Sequence, residues 1–414
     1  MGNVFVPPDL RTRFFSQILS QRLFCDKPLV SNPLLIKLLQ ESISRIKTVL
    51  DSEDNFTFKS SDFSWDILLT TLKSSSPAKA HLVLEWRLEK MVRDNERDLV
   101  PYLELIFLCS KVQNVPFAMR VFNSMEAHGI KLTSSVFNAL IYTCLSSGNV
   151  MTALSLFEIM QSSENCKPNS ETYNTFISVY SNLGNDKAMQ AWYLAQKGAG
   201  FSADLRTYES LISGCVRSRN FDCADRFYEE MMLSGIMPNG QILENILRGL
   251  CEQRSISKVE QLLKFMMDGE WEINVSMAEK LMGLYFEHGT VEKMEELLLN
   301  LMNSNQSFAV LQQVHCGIIR MHAMLDRLDD MEYSVGRMLK QGMSFRCPDD
   351  IEKVVCAYFR REAYERLDLF LGHIKGSYKL TKSTYDLLVA GYRRAGLSEK
   401  LDLVMDGMKL AGFF

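Results

Sequence analysis

The sequence predicts an all-α chain, an α-solenoid of about ten stacked helix-turn-helix repeats, and three observations carry that prediction. A short phrase recurs about every 35 residues: Val136-Phe137-Asn138-Ala139-Leu140-Ile141, Thr172-Tyr173-Asn174-Thr175-Phe176-Ile177, Thr207-Tyr208-Glu209-Ser210-Leu211-Ile212 and Thr384-Tyr385-Asp386-Leu387-Leu388-Val389. A second phrase keeps step with it, an apolar pair followed three residues on by Met: Val121-Phe122 with Met125, Leu156-Phe157 with Met160, Phe227-Tyr228 with Met231, Leu262-Leu263 with Met266. It returns as Val335 with Met338 and Val404-Met405 with Met408. Both phrases carry the 3.6-residue apolar spacing of a helix, and almost no alternating strand pattern occurs.

The elements follow in chain order. Residues 1–61 lie outside the repeat phase. In 1–25, Arg11, Arg13 and Arg22 stand against a single acid, Asp9, and Phe14, Phe15, Ile18, Leu19 and Leu23 can form an apolar stripe. That pattern fits an organellar presequence and equally an ordinary first helix. Asn32-Pro33 before Leu34-Leu35-Ile36 and Leu38-Leu39 predicts an N-capped helix that covers the apolar end of the solenoid. Residues 62–414 then divide into units at 62–98, 99–133, 134–169, 170–204, 205–239, 240–274, 275–311, 312–346, 347–381 and 382–414.

The unit 205–239 shows why each is a hairpin. Tyr208, Leu211, Ile212 and Cys215 share one face of a first helix; Phe221, Ala224, Phe227, Tyr228 and Met231 share one face of a second. Arg217-Ser218-Arg219-Asn220 is the expected turn. Gly235 can take the left-handed conformation that ends the second helix, and Pro238 stops its continuation. Glycine stands in the same place at Gly129, Gly342 and Gly412. One such hairpin cannot bury its apolar face alone, so neighbours must stack.

Ten cysteines occur without a C-x-x-C pair, and Cys109, Cys144 and Cys215 hold one repeat position with Cys251 and Cys356 within a residue of it. They read as small packing residues of a reducing compartment. The Met residues that mark the period fall on the buried stripe of second helices. His315 and His322, seven residues apart on one helix face, read as satisfied surface or core histidines. No zinc-protease, deaminase, phosphate-loop, dinucleotide-binding or nucleophile-elbow spacing appears. The acids of 240–311, among them Glu292, Glu295 and Glu296, read as a solvated face. Catalysis, a metal and a cofactor are therefore not expected. No apolar run reaches membrane length, and Met1-Gly2 lacks the Ser or Thr that myristoylation favours, so a soluble protein is expected.

On the Thr-Tyr-Asn-Thr-Phe-Ile phrase and the late Met and Gly, the chain resembles the pentatricopeptide repeat family of RNA-binding helical hairpins, in its plain form without a catalytic or editing tail. Tetratricopeptide repeats are the nearest rival, but their 34-residue signature of Trp, Leu, Gly and Tyr is absent. The resemblance covers about residues 62–414 and is strongest in 134–239 and the last unit; 62–98, 275–311 and 347–381 diverge. It implies a right-handed superhelix and a mechanism, in which each repeat faces one base of single-stranded RNA and reads it with its fifth and last residues.

Residue by residue, the resemblance implies that Asn174 with Asp204 reads uracil and that Asn138 with Asn169 reads a pyrimidine. Glu209 with Asn239 and Glu244 with Asn274 occupy the same two places, although Glu at the fifth departs from the family pattern. Leu103, Glu279 and Cys316 depart further, and the last unit stops at Phe414 before its final position. Where the family sets an aliphatic residue at position two, this chain has Ser135, Glu171, Arg206 and Gln241; Arg206 can stack a base through its guanidinium plane, and Glu171 weakens its site. Asn138 and Asn174 also fit a structural role, capping a turn or bonding the adjacent hairpin.

Charge bears on the choice. With 46 basic and 50 acidic residues the net charge is −4, against the basic footprint that phosphate binding favours. A local strip from Arg217, Arg219, Arg248, Arg254, Arg393 and Arg394 could still line a groove. The expectation is sequence-selective binding of an organellar transcript, in mitochondrion or chloroplast, acting by occupancy. The alternative is a protein-binding scaffold within an organellar ribonucleoprotein complex. Transcript, organelle and oligomeric state stay open.

Overall fold

A computed structural model describes residues 33–53, 63–304 and 306–413. The segment 1–25, with its presequence pattern, and Asn32 lie outside the described residues. These form 22 α-helices and one short 3-10 turn, and the chain divides into two compact units. The first holds the described residues up to 182 together with 187–203; the second holds 183–186 and 204 onward.

In the first unit, α1 (Pro33–Gln40) and α2 (Ile46–Ser52) precede four hairpins: α3 (Trp65–Ser75) with α4 (Pro77–Arg93), α5 (Leu99–Val112) with α6 (Val115–Ala127), α7 (Ser134–Ser146) with α8 (Val150–Ser162), and α9 (Ser170–Asn182) with α10 (Asp186–Gly198). Leu34, Leu35, Leu38, Ile46 and Leu50 are buried as α1 and α2 pack on α3 and α4. Lys79 Nζ donates to the carbonyls of Leu38 (3.0 Å) and Leu39 (2.8 Å), which satisfies the end of α1. First helices pack side by side, α3 on α5, α5 on α7 and α7 on α9, and Thr143 Oγ1 crosses that layer to the Ile106 carbonyl at 3.1 Å. Phe157, Phe176 and Trp192 lock α8, α9 and α10 together, with Phe176 stacked on Trp192 at 3.7 Å between ring centroids.

The second unit holds six hairpins: α11 (Leu205–Arg217) with α12 (Phe221–Leu233), α13 (Gly240–Glu252) with α14 (Ile256–Asp268), α15 (Val275–Glu287) with α16 (Val291–Asn303), α17 (Phe308–Met324) with α18 (Leu328–Lys340), α19 (Pro348–Arg360) with α20 (Tyr364–Ile374), and α21 (Lys382–Ala395) with α22 (Ser398–Leu410). Again the first helices stack in order, α11 through α21. Arg217, expected in a turn, is the last residue of α11, so the turn is 218–220. Gly235 has φ +73°, and the next residue, Ile236, donates N–H to the Met231 carbonyl, a Schellman closure that a Cβ would disfavour.

The Met residues of the second phrase are buried where they were expected: Met125, Met160, Met231, Met266, Met338 and Met408. Second helices also carry a charge ladder. Lys258, Lys293, Arg366 and Lys400, each the third residue of its helix, pair with Asp225, Glu260, Glu332 and Asp368, each the fifth residue of the second helix before. These pairs are solvent-accessible and set alignment more than they stabilise.

Two expectations need correction. His315 is fully buried and His322 nearly so, and neither is fully satisfied: each Nδ1 has no hydrogen-bond partner among the described residues. His315 Nε2 donates to Gln341 Oε1 at 2.9 Å, leaving the lone pair of Nδ1 unmet. Glu295 is not part of a freely solvated face. It pairs with Arg337 at 2.7 Å and approaches His322 Nε2 at 3.9 Å; burial raises the pKa of its carboxyl, but the His322 ring and the Arg337 guanidinium outweigh that and leave it below the usual range.

Candidate nucleic-acid interface

Most first helices begin at a side-chain cap, and that local chemistry builds the site. Asn169, Asp204, Asn239 and Asn274, each the last residue of a repeat, accept a hydrogen bond from a backbone N–H in the first turn of the next first helix: Thr172, Thr207, Ile242 and Met277. An Asn cap uses only its carbonyl oxygen for this, so its NH2 group remains to reach elsewhere.

In two cases it reaches the fifth residue of the preceding first helix, and in a third the fifth residue donates to the cap oxygen instead. Asn239 Nδ2 donates to Glu209 Oε2 at 3.0 Å, and Asn274 Nδ2 donates to Glu244 Oε2 at 2.8 Å. Asn138 Nδ2 lies 3.4 Å from Asn169 Oδ1 and 3.4 Å from Glu171 Oε2, while the Thr172 hydroxyl donates to Asn138 Oδ1 at 2.8 Å. The structure therefore brings together Asn138 with Asn169, Glu209 with Asn239, and Glu244 with Asn274. Asn174 stands in the first unit, where its Oδ1 accepts from Gln196 Nε2 at 3.2 Å. Asp204 belongs to the second unit and forms a capping box with Thr207.

Accessibility separates the pairs. Asn138 is 5% exposed and its amide is engaged on both sides, which realises the structural role open to it. Glu209, Asn239 and Glu244 are half-buried and Asn274 is exposed. Ser135, Glu171, Arg206 and Gln241, the second residues of their first helices, are all exposed. The arginine strip is partly neutralised: Arg219 pairs with Glu252 at 3.7 Å and Arg254 with Glu287 at 3.0 Å. Arg248 donates to Asn245 Oδ1, and Arg217, Arg393 and Arg394 are exposed.

One feature of the first-helix layer was missed from sequence. Phe107, 41% exposed, stacks on Tyr142 at 5.6 Å and 18° between planes, and Lys111 Nζ sits 5.2 Å over the Phe107 ring. Both aromatics are the ninth residue of their helices, α5 and α7, so comparing ninth positions along the repeat would have found them.

Among the described residues there is no cluster of His, Cys, Asp or Glu suited to a metal, and no helix long and apolar enough to cross a membrane.

Comparison with known proteins bears on the repeat. Residues 132–182 match the PPR repeat family, residues 88–147 the pentatricopeptide repeat domain, and residues 206–236 the PPR repeat. The chain is 32% identical over 92 residues to the pentatricopeptide repeat-containing protein PPR5 homolog, chloroplastic, of Oryza sativa subsp. japonica, a match over 21% of this chain and 19% of that protein. It thus spans about a fifth of the length of that relative. Among solved structures it is similar to the pentatricopeptide repeat protein PPR10 in complex with an 18-nt psaJ RNA element, with TM-score 0.49 and 17% identity over 97% of this chain and 58% of that one. It is also similar to the PPR domain of Arabidopsis thaliana protein-only RNase P 1 in complex with tRNA, with TM-score 0.37 and 20% identity over 44% of this chain and 95% of that one.

Proposed function

We propose that the chain, in which residues 88–182 and 206–236 match pentatricopeptide repeat models, is a pentatricopeptide repeat protein that binds single-stranded RNA in a sequence-selective way, on its first helices, within a mitochondrion or chloroplast. The observation that carries this reading is the repeated polar pair: a fifth residue hydrogen-bonded to the next helix cap, at Asn138 with Asn169, Glu209 with Asn239 and Glu244 with Asn274. A Glu–Asn pair offers a carboxylate acceptor beside an amide donor, matched to a base edge. Asn174 and Asp204 are the residues to which the family resemblance assigns uracil. Arg206 and the Phe107–Tyr142 stack supply planar surfaces for bases, a sequence-tolerant source of affinity.

The bound strand is the whole effect in this reading. Occupancy blocks a nuclease or holds an RNA fold open, and the protein itself breaks no bond. Organellar placement rests on the arginine-bearing pattern of 1–25 and on the chloroplastic relative.

Retention of a randomised single-stranded RNA pool at moderate salt, followed by sequencing, tests the proposal beside an Asn138→Ala/Asn174→Ala double variant. A short retained motif containing a pyrimidine followed by uracil, lost in the variant, is the expected result. No enrichment moves the reading to a protein-binding scaffold, which the engaged amide of Asn138 and the neutralised Arg219 and Arg254 favour.

A further inference from the structure

The row of polar pairs stops after Glu244 with Asn274, and a cavity of about 580 Å³ opens along the same first-helix layer, between α15, α17 and α19. Glu279, the fifth residue of α15, stands at its edge. At the next repeat the fifth residue is Cys316, which is 1% exposed, and the cap position holds Cys347, whose side chain makes no cap hydrogen bond. Neither contributes a polar pair. Two glycines line the cavity: Gly317 lets Met282 pack close, since a Cβ there would meet Met282 Sδ at 2.7 Å, whereas Gly283 borders open space, since a Cβ there would meet nothing within 4 Å.

We propose that this cavity receives a guanine base of the bound strand, an assignment that rests on the RNA-binding reading above. Its polar rim is two-sided. Arg320 is oriented by Asp350, a 2% exposed carboxylate that accepts from Nε at 2.8 Å. Arg346 is exposed and in no ion pair among the described residues. Lys353 is held by Asp349 at 2.6 Å, so Glu279 is the acid left opposite these donors.

Guanidinium groups only donate and a carboxylate only accepts. The base edge that satisfies both carries adjacent N–H donors on one side and two acceptors on the other, which is guanine with N1–H and N2–H2 facing Glu279 and O6 and N7 facing arginine. Adenine places a donor where O6 would be, and pyrimidines lack N7. Met282 and Phe286 give the ring an apolar wall, and the volume falls within the usual range for small-ligand sites.

The test uses the full chain and fluorescently labelled uridine decamers with one central guanosine, inosine or adenosine, read by anisotropy. Wild type is expected to bind the guanosine strand about tenfold tighter than the adenosine strand, with inosine between them. Gly283→Leu fills the cavity from an open helix position, so it retains the fold by circular dichroism and binds all strands equally. Arg346→Ala also loses the discrimination. Equal binding of all strands by wild type, or a preference that survives Gly283→Leu, overturns the proposal while leaving RNA binding intact. If no strand binds, the RNA reading fails on its own. Calorimetric titration with guanosine monophosphate then decides the cavity: saturable heat in wild type that Gly283→Leu abolishes supports it, and no heat overturns it.

Discussion

Asn239 joins two repeats through one amide: its Oδ1 accepts from the Ile242 N–H and caps α13, while its Nδ2 donates to Glu209 Oε2 at 3.0 Å, thirty residues back. Asn239→Asp keeps the cap but turns the donor into a second carboxylate against Glu209. A loss of about 1 kcal/mol is expected from the hydrogen bond and the new like-charge contact. Glu209→Gln should recover most of it in the double variant, and thermal melts of the four-protein cycle measure the coupling. Additive effects would show that the pair does not interact.

Residue pairs of this kind mark how far the sequence could be read. The hairpins, their turns and the Met stripe all follow from spacings of three and four residues within one helix, so they were visible. That the last residue of a repeat caps the next helix and reaches back to the fifth depends on two helices about 30 residues apart lying side by side, and no local pattern states that. The partial neutralisation of the arginine strip was hidden for the same reason: Arg219 and Arg254 occupy exposed turns, but the acids that meet them, Glu252 and Glu287, close the next first helix along.

The buried histidine gives a pH dependence. Burial holds the His315 imidazole below the ordinary value of 6.5. A depressed folded pKa contributes stability that is present above the unfolded pKa and is lost as pH falls through the folded one. The melting temperature of wild type should therefore drop as pH falls from above 6.5 toward 5, and His315→Gln should flatten that slope. Glu295, also held low, adds a further loss only in the window below 4.5. Equal slopes for the two proteins between pH 7 and 5 would remove His315 as the cause.

Thiol chemistry separates core from surface. Burial pushes the Cys109 and Cys316 thiols up to about 12 and Cys144 to about 11, so their thiolate fraction at pH 8 is negligible. Among the described residues Cys347 is the exposed cysteine. Among the described cysteines, iodoacetamide at pH 8 should label Cys347 first, with Cys109, Cys144 and Cys316 modified only after denaturation, as read by peptide mass spectrometry. Native labelling of Cys109 would contradict its burial.

Glycines that look alike in sequence should behave oppositely. A Cβ at Gly391 on α21 would lie 2.2 Å from the Phe359 ring of α19, whereas Gly283 on α15 faces open space. Gly391→Ala should cost about 1–3 kcal/mol by overpacking. Gly283→Ala should gain up to about 1 kcal/mol from helix propensity. Urea titrations of both variants check the signs.

The repeat period, the all-α hairpins, the buried Met and Cys positions and the left-handed glycines are legible in the residues alone, because each is a statement about one helix and its ends. Packing between hairpins sets which polar groups are already engaged. It places Asn138 between Asn169, Glu171 and Thr172, sets Arg320 against Asp350, and leaves a cavity bordered by Gly283 between α15, α17 and α19. The physical reason is distance along the chain. Helix periodicity is written within a dozen residues, while hydrogen bonds and voids between hairpins arise only when segments a full repeat apart are packed together.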